Sequence, residues 1–176
     1  MIATRRQALQ AGGGLLAAVL LRPSPVLAAG AVEIVMQGTP DGSQVWFDPV
    51  GILVQPGQTI RWTNRDPGNS HTVTSYHPSL FDRPRRIPEA ATPWDSDYLL
   101  PDESFSLTLS VPGVYDYYCV PHEHAGMVGR VVVGTPSASA ADYANAGAAL
   151  TELPQVALAG FPDVAAIIAA AVVHRE

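Results

Sequence analysis

Lysine is absent from this chain of 176 residues, whose ten basic side chains are all arginine. The single cysteine, Cys119, excludes an intrachain disulfide, so the compartment must be read from other features. Histidine is scarce, at five, and methionine scarcer, at three. Those counts leave no room for several metal centres or for exposed clusters of thioethers. No apolar run approaches the roughly 20 residues that cross a bilayer as a helix. Positive charge is short as well. Arg5, Arg6 and Arg22 precede every one of the sixteen acidic residues. A chain starting near Ala29 therefore sets seven arginines against sixteen acids, a formal net charge of −9. That balance argues against nucleic-acid binding and points to cationic or weakly steered partners.

The early arginines have their own reading. Thr4-Arg5-Arg6-Gln7-Ala8-Leu9 is followed by a modest, glycine-containing apolar run, Ala11–Leu21, and then by the small-residue cleavage signal Val26-Leu27-Ala28. Residues 1–28 are thus an export signal. The adjacent arginines resemble the bacterial twin-arginine type, with an ordinary secretory signal as the alternative. Both place the mature chain in the periplasm or outside the cell.

Residues 29–134 read as an all-β domain. Val32, Ile34 and Met36 alternate with Glu33, Val35 and Gln37; Ile60 and Trp62 alternate with Arg61 and Thr63; Phe105, Leu107 and Leu109 alternate with serine and threonine. Period-2 alternation marks half-buried strands. Val114–Cys119 and Met127–Val133 supply two more strands, and Pro56-Gly57 and Pro112-Gly113 mark turns. Repeated short strands separated by turn signals predict a β-sandwich.

Chemistry concentrates in Tyr117-Tyr118-Cys119-Val120-Pro121-His122-Glu123-His124-Ala125-Gly126-Met127. One loop offers a thiolate, an imidazole and a thioether. With a second imidazole, these are the donors of a blue-copper site, in which soft sulfur stabilises Cu(I) and imidazole serves both oxidation states. Upstream, His71 in Asn69-Ser70-His71-Thr72-Val73 is the candidate for that imidazole. Pro121 stiffens the turn and removes a backbone N–H, and Gly126 permits a sharp bend before Met127. His124 competes with His122, and Glu123 offers only a hard carboxylate. Asn64 is placed to brace the metal loop by hydrogen bonding. Zinc is a second possible occupant, although copper(II) outcompetes it by affinity.

The pattern Tyr-Tyr-Cys-x-Pro-His-x-x-x-Gly-Met-x-Gly resembles the copper loop of the small cupredoxins, plastocyanin in particular. Val54–Asn64 followed by His71-Thr72-Val73 resembles the strand that leads to the family's first histidine. The resemblance spans about Val32 to Val133. It implies a Greek-key, cupredoxin-like β-sandwich and one type 1 copper held by His71, Cys119, His122 and Met127. It also favours His122 over His124.

Two regions depart from that pattern. Ser75–Leu100 is a long connection containing Pro78, Pro84, Pro88 and Pro93, with a basic cluster, Arg83-Pro84-Arg85-Arg86, and an acidic run, Asp95-Ser96-Asp97. It reads as a solvated loop of balanced charge, or more sharply as a docking patch for an acidic partner. Residues 135–176 read as an alanine-rich helical extension, with helices over Ala140–Leu150 and Pro162–His174. The function expected is single-electron transfer with protein redox partners, by a monomer that is not an enzyme. A copper carrier or storage protein is the alternative, and its exchangeable Met or Cys sets are missing. A copper oxidase or nitrite reductase would need a second metal centre and more His-x-His pairs than His122-Glu123-His124.

Overall fold

The period-2 segments form strands in the computed structural model, which describes residues 30–136 and 153–175. The export signal over residues 1–28 and the helix expected over Ala140–Leu150 lie outside the described residues. β1 (Val32–Gly38) buries Ile34 and Met36, and β2 (Val45–Asp48) buries Val45 and Phe47. β3 (Gly51–Val54), β4 (Gln58–Asn64) and the two-residue β5 (Thr74–Ser75) come next, then β6 (Ser104–Leu109), β7 (Gly113–Tyr118) and β8 (Val128–Val133). One sheet has the order β2-β1-β4-β6; the other begins β5-β7-β8-β3. β1 runs parallel to β4 and β3 parallel to β8, while the other neighbours are antiparallel. β2 and β3 are consecutive yet lie in different sheets, so the chain changes sheet at Pro49-Val50. The expected all-β sandwich is what forms.

Between the sheets, Tyr117 packs edge-on against Phe47, with ring centroids 4.8 Å apart, and against Trp62 at 5.5 Å. Such edge-to-face pairs are the favoured aromatic geometry. They fix Tyr117, and the period of two then turns Cys119 into the same core.

β7 and β8 are buried at every position, not on one face only. Two segments cover their outer side. The long connection is one, and it is only in part the solvated loop expected: Tyr76, Ile87 and Trp94 are buried, while Phe81, Tyr98 and Leu100 are exposed. Two arginines of its basic cluster are taken up by carboxylates of the protein itself. Arg86 is 2% exposed and shares the Asp116 carboxylate with Arg130, across the Asp116–Arg130 register pair of β7 and β8. Arg83 bonds the buried Glu123. Arg83 and Arg86 turn toward the carboxylates of the metal loop and β7, while Arg85 stays near the surface, bonded to the Glu89 carbonyl.

The C-terminal segment is the other cover. It holds α1 (Gln155–Gly160), α2 (Val164–Ala170) and β9 (Val172–Val173). The helix expected over Pro162–His174 is therefore shorter. Asp163 caps its start by accepting the Ala165 N–H, and the chain leaves the helix at Ala171, with φ 62°. Val172 and Val173 then pair with β3, completing the second sheet, because two β-branched residues fit the open strand edge better than another helical turn. Ile167 packs with Val114 and Val132. A Cβ on Gly51 would lie 2.7 Å from Pro162 Cγ and 2.8 Å from Ile167 Cδ1, so only glycine allows this approach. Ile167→Ala should cost about 2–5 kcal/mol in urea denaturation. A cost near zero would mean that α2 is not part of the cooperative unit.

Candidate metal centre

Two segments from opposite sides of the sandwich build the centre. The first comes after β4. Asn64 donates from its side-chain amide to the carbonyls of Asn69 and Leu99 and accepts the Asp66 N–H. It therefore braces the segment that carries Asp66 and His71, and not the Cys119–Met127 loop as expected. The Asp66 carboxylate accepts from Gly68 N–H and the Asn69 amide. Its Oδ2 lies 3.1 Å from His71 Nε2, with both residues buried. Burial raises the Asp66 pKa, but the hydrogen bonds from Asn69, Gly68 and His71 outweigh it and hold the carboxyl below its ordinary value. An ionised Asp66 takes the Nε2 proton of His71 as its hydrogen bond. The Nδ1 lone pair of His71 is thereby left to face the site.

The second segment is the loop between β7 and β8. Pro121 opens a 3-10 turn, Val120–Ala125, which closes at Gly126 in the left-handed region, with φ 80°. Cys119 N–H donates to the Met127 carbonyl, His122 N–H to Cys119, and Met127 N–H back to His122. The loop thus returns Met127 beside Cys119. Both are fully buried in the main core.

The three donor atoms form a nearly equilateral triangle. His71 Nδ1 and His122 Nδ1 are 3.2 Å apart, and Cys119 Sγ lies 3.6 Å from the first and 3.4 Å from the second. A point equidistant from all three sits about 2.0 Å from each, within the usual span of metal–imidazole bonds. The set of one thiol and two imidazoles, with a thioether in the same loop, fits copper. Burial pushes the Cys119 thiol up to about 11, opposed by the Thr72 N–H. A metal must therefore displace its proton on binding. Burial also lowers His71 and His122, which keeps both imidazoles neutral and able to ligate.

Three outer contacts were not foreseen from the sequence. Thr72 N–H donates to Cys119 Sγ at 3.3 Å, and Thr72 Oγ1 accepts the Val120 N–H at 2.8 Å. Asp66 was the second. Glu123 was the third: it is fully buried, accepts the Tyr76 hydroxyl at 2.9 Å and pairs with Arg83, anchoring the turn to the long connection. A lone carboxylate inside a donor loop, with a basic cluster upstream, was the available signal. His124 is exposed and stands outside the donor cluster. His77 bonds Ser79, and His174 pairs with Asp48 at the surface.

A β-sandwich that closes two imidazoles and a thiol into one metal-sized cradle at its end defines a small blue-copper protein. The profile of the copper binding proteins, plastocyanin/azurin family, matches residues 34–134. The chain is 37% identical to the chloroplastic plastocyanin of Oryza sativa subsp. indica, over 66% of this chain and 73% of that one. It is 30% identical to a Synechococcus plastocyanin, over 69% and 84%. Among solved structures, a pseudoazurin from Sinorhizobium meliloti matches with a TM-score of 0.50 at 28% identity, covering 72% of this chain and 90% of its own. The chain belongs to the plastocyanin/azurin family of copper binding proteins. It is a blue-copper electron-transfer protein whose cofactor is one type 1 copper ion.

Asp66→Ala should weaken copper binding by about 10–100-fold in a chelator competition titration, because His71 loses the partner that fixes its tautomer. Unchanged affinity would show that Asp66 does not orient the ring.

Proposed function

We propose that His71, Cys119 and His122 would hold the copper ion, with the Met127 thioether as its weak fourth donor. The carrying observation is the donor triangle, whose centre lies a bond length from all three atoms. Met127 is assigned by its complete burial in the Cys119 core and its backbone bond to Cys119. Bound copper supplies the one-electron Cu(I)/Cu(II) couple.

The residues around it keep that exchange small in nuclear motion. Asp66 holds the His71 ring, Thr72 N–H solvates the sulfur, and the buried cradle excludes water. No position is left open for a substrate, which supports a carrier and not an enzyme. Buried donors also exchange slowly, which disfavours copper storage or delivery. His122 is the one donor that is only partly buried, and Pro121 and Ala125 are exposed beside it. Electrons pass through that edge to donor and acceptor proteins. The acidic mature chain steers toward cationic faces of those partners and away from nucleic acid. It works as a monomer, exported by the twin-arginine route to the periplasm or beyond. No helix among the described residues is long and apolar enough to cross a membrane.

With copper(II), the mature protein should absorb strongly near roughly 600 nm and show narrow copper hyperfine splitting, as a thiolate–copper bond requires. Cys119→Ser should abolish that band, and its survival would sink the ligand assignment. Met127→Leu should retain copper but raise the reduction potential, since a donor to Cu(II) is lost; an unchanged potential would remove Met127 from the site.

A further inference from the structure

The residues on both sides of Met127 are touched by the C-terminal segment. A Cβ built on Gly126 would lie 3.0 Å from Val156 Cγ2 and 3.3 Å from the Val156 carbonyl oxygen. A Cβ built on Gly160 would lie 2.8 Å from Val128 Cγ2 and 3.1 Å from the Gly126 carbonyl oxygen. Helix α1 therefore rests on Gly126 through Val156 and Gly160, and on Val128 through Gly160. Beneath it, Leu153 and Ala157 pack with Tyr118 and Val128, the residues next to Cys119 and Met127.

Helix α1 has only six residues and cannot hold itself in place. The residues C-terminal to it are anchored. The Phe161 ring packs against two guanidinium groups, its centroid 5.0 Å from Arg86 and 5.1 Å from Arg130. The Pro162 carbonyl accepts from Arg130 at 2.7 Å. Farther on, β9 is bonded to β3, with Val50 N–H donating to the Val173 carbonyl. Arg130 and β3 belong to the second sheet and Arg86 to the long connection, so these anchors hold α1 against the loop.

We infer that the C-terminal segment is a positioning element of the copper site, in which Val156 and Gly160 hold Gly126 and Val128 and so set the place of the Met127 thioether. The inference rests on Met127 being the fourth donor. A loop without this grip could relax around Gly126, the left-handed residue on which the turn back to Met127 depends. The place of the Met127 thioether would then follow the loop instead of the sandwich.

The test compares Val156→Ala and Gly160→Ala with Ile168→Ala, an exposed residue of α2 that serves as a control of similar lost apolar surface. Val156 is 45% and Ile168 48% exposed, so both truncations should fold even where Gly160→Ala does not. Hydrogen exchange of the Gly126 and Met127 amides, read on the copper-free protein, should accelerate about tenfold in Val156→Ala, the effect of losing ~1.4 kcal/mol of local contact. The copper-loaded variant should shift in reduction potential and hyperfine splitting, while Ile168→Ala changes none of these. Wild-type exchange in Val156→Ala would overturn the grip. Faster exchange with an unchanged potential and hyperfine splitting would overturn the positioning role. A wild-type protein without the blue band would instead overturn the copper-ligand reading, with the exchange result still deciding whether α1 holds the loop.

Discussion

Two hydrogen bonds made by Thr72 join the halves of the metal centre. His71 and Cys119 are 48 residues apart and arrive on different segments. Thr72 N–H meets the sulfur, and its hydroxyl oxygen takes the N–H of Val120. One residue thus fixes the first histidine's segment to the cysteine's strand end at the level of the donors. The hydroxyl continues through Thr74 Oγ1 to Asp95, which accepts at 2.7 Å. Since Thr74 donates to a carboxylate, Thr72 donates to Thr74, and every group in the line has its partner. A donor triangle with edges of 3.2–3.6 Å depends on this seam.

Around the seam, rigidity comes from covering both faces of β7 and β8. The inner face is filled by rings from the opposite sheet. The outer face carries Asp116 between Arg86 and Arg130, an arrangement whose disruption is costly because it would leave buried charge uncompensated. Glu123 repeats the device within the loop, bonded to Tyr76 and Arg83. The rings and ion pairs leave the donors little freedom to follow a change in copper oxidation state. Electron transfer benefits from that stiffness, since small rearrangement means a small barrier.

The strands and the donor loop were legible because their signals are local. Alternation over Val32–Met36 and Ile60–Trp62 gives the inward faces directly, and Cys119, His122 and Met127 lie within nine residues of each other. The partners were not legible, because they are set by tertiary approach. Nothing in the sequence says that Asp66 rather than Asp95 reaches His71, or that Arg86 turns inward to Asp116. A composition of alternating basic residues and prolines reads as surface until the strand beneath is known to carry a carboxylate. The tail shows a related limit. Alanine favours helix over Pro162–His174, yet Val172-Val173 meets an open strand edge, and pairing wins over propensity.

That short terminal strand has a wider consequence. Without it, β3 would present unpaired N–H and C=O groups along the rim of the second sheet. Such a rim invites strand addition from a second molecule and growth into chains. β9 occupies it with two residues, and His174 and Arg175 come directly after, placing polar and charged side chains where an incoming strand would extend the ladder. The same segment that rests on the copper loop therefore also covers part of the β3 edge, so one stretch of chain serves the site and the rim of the sheet.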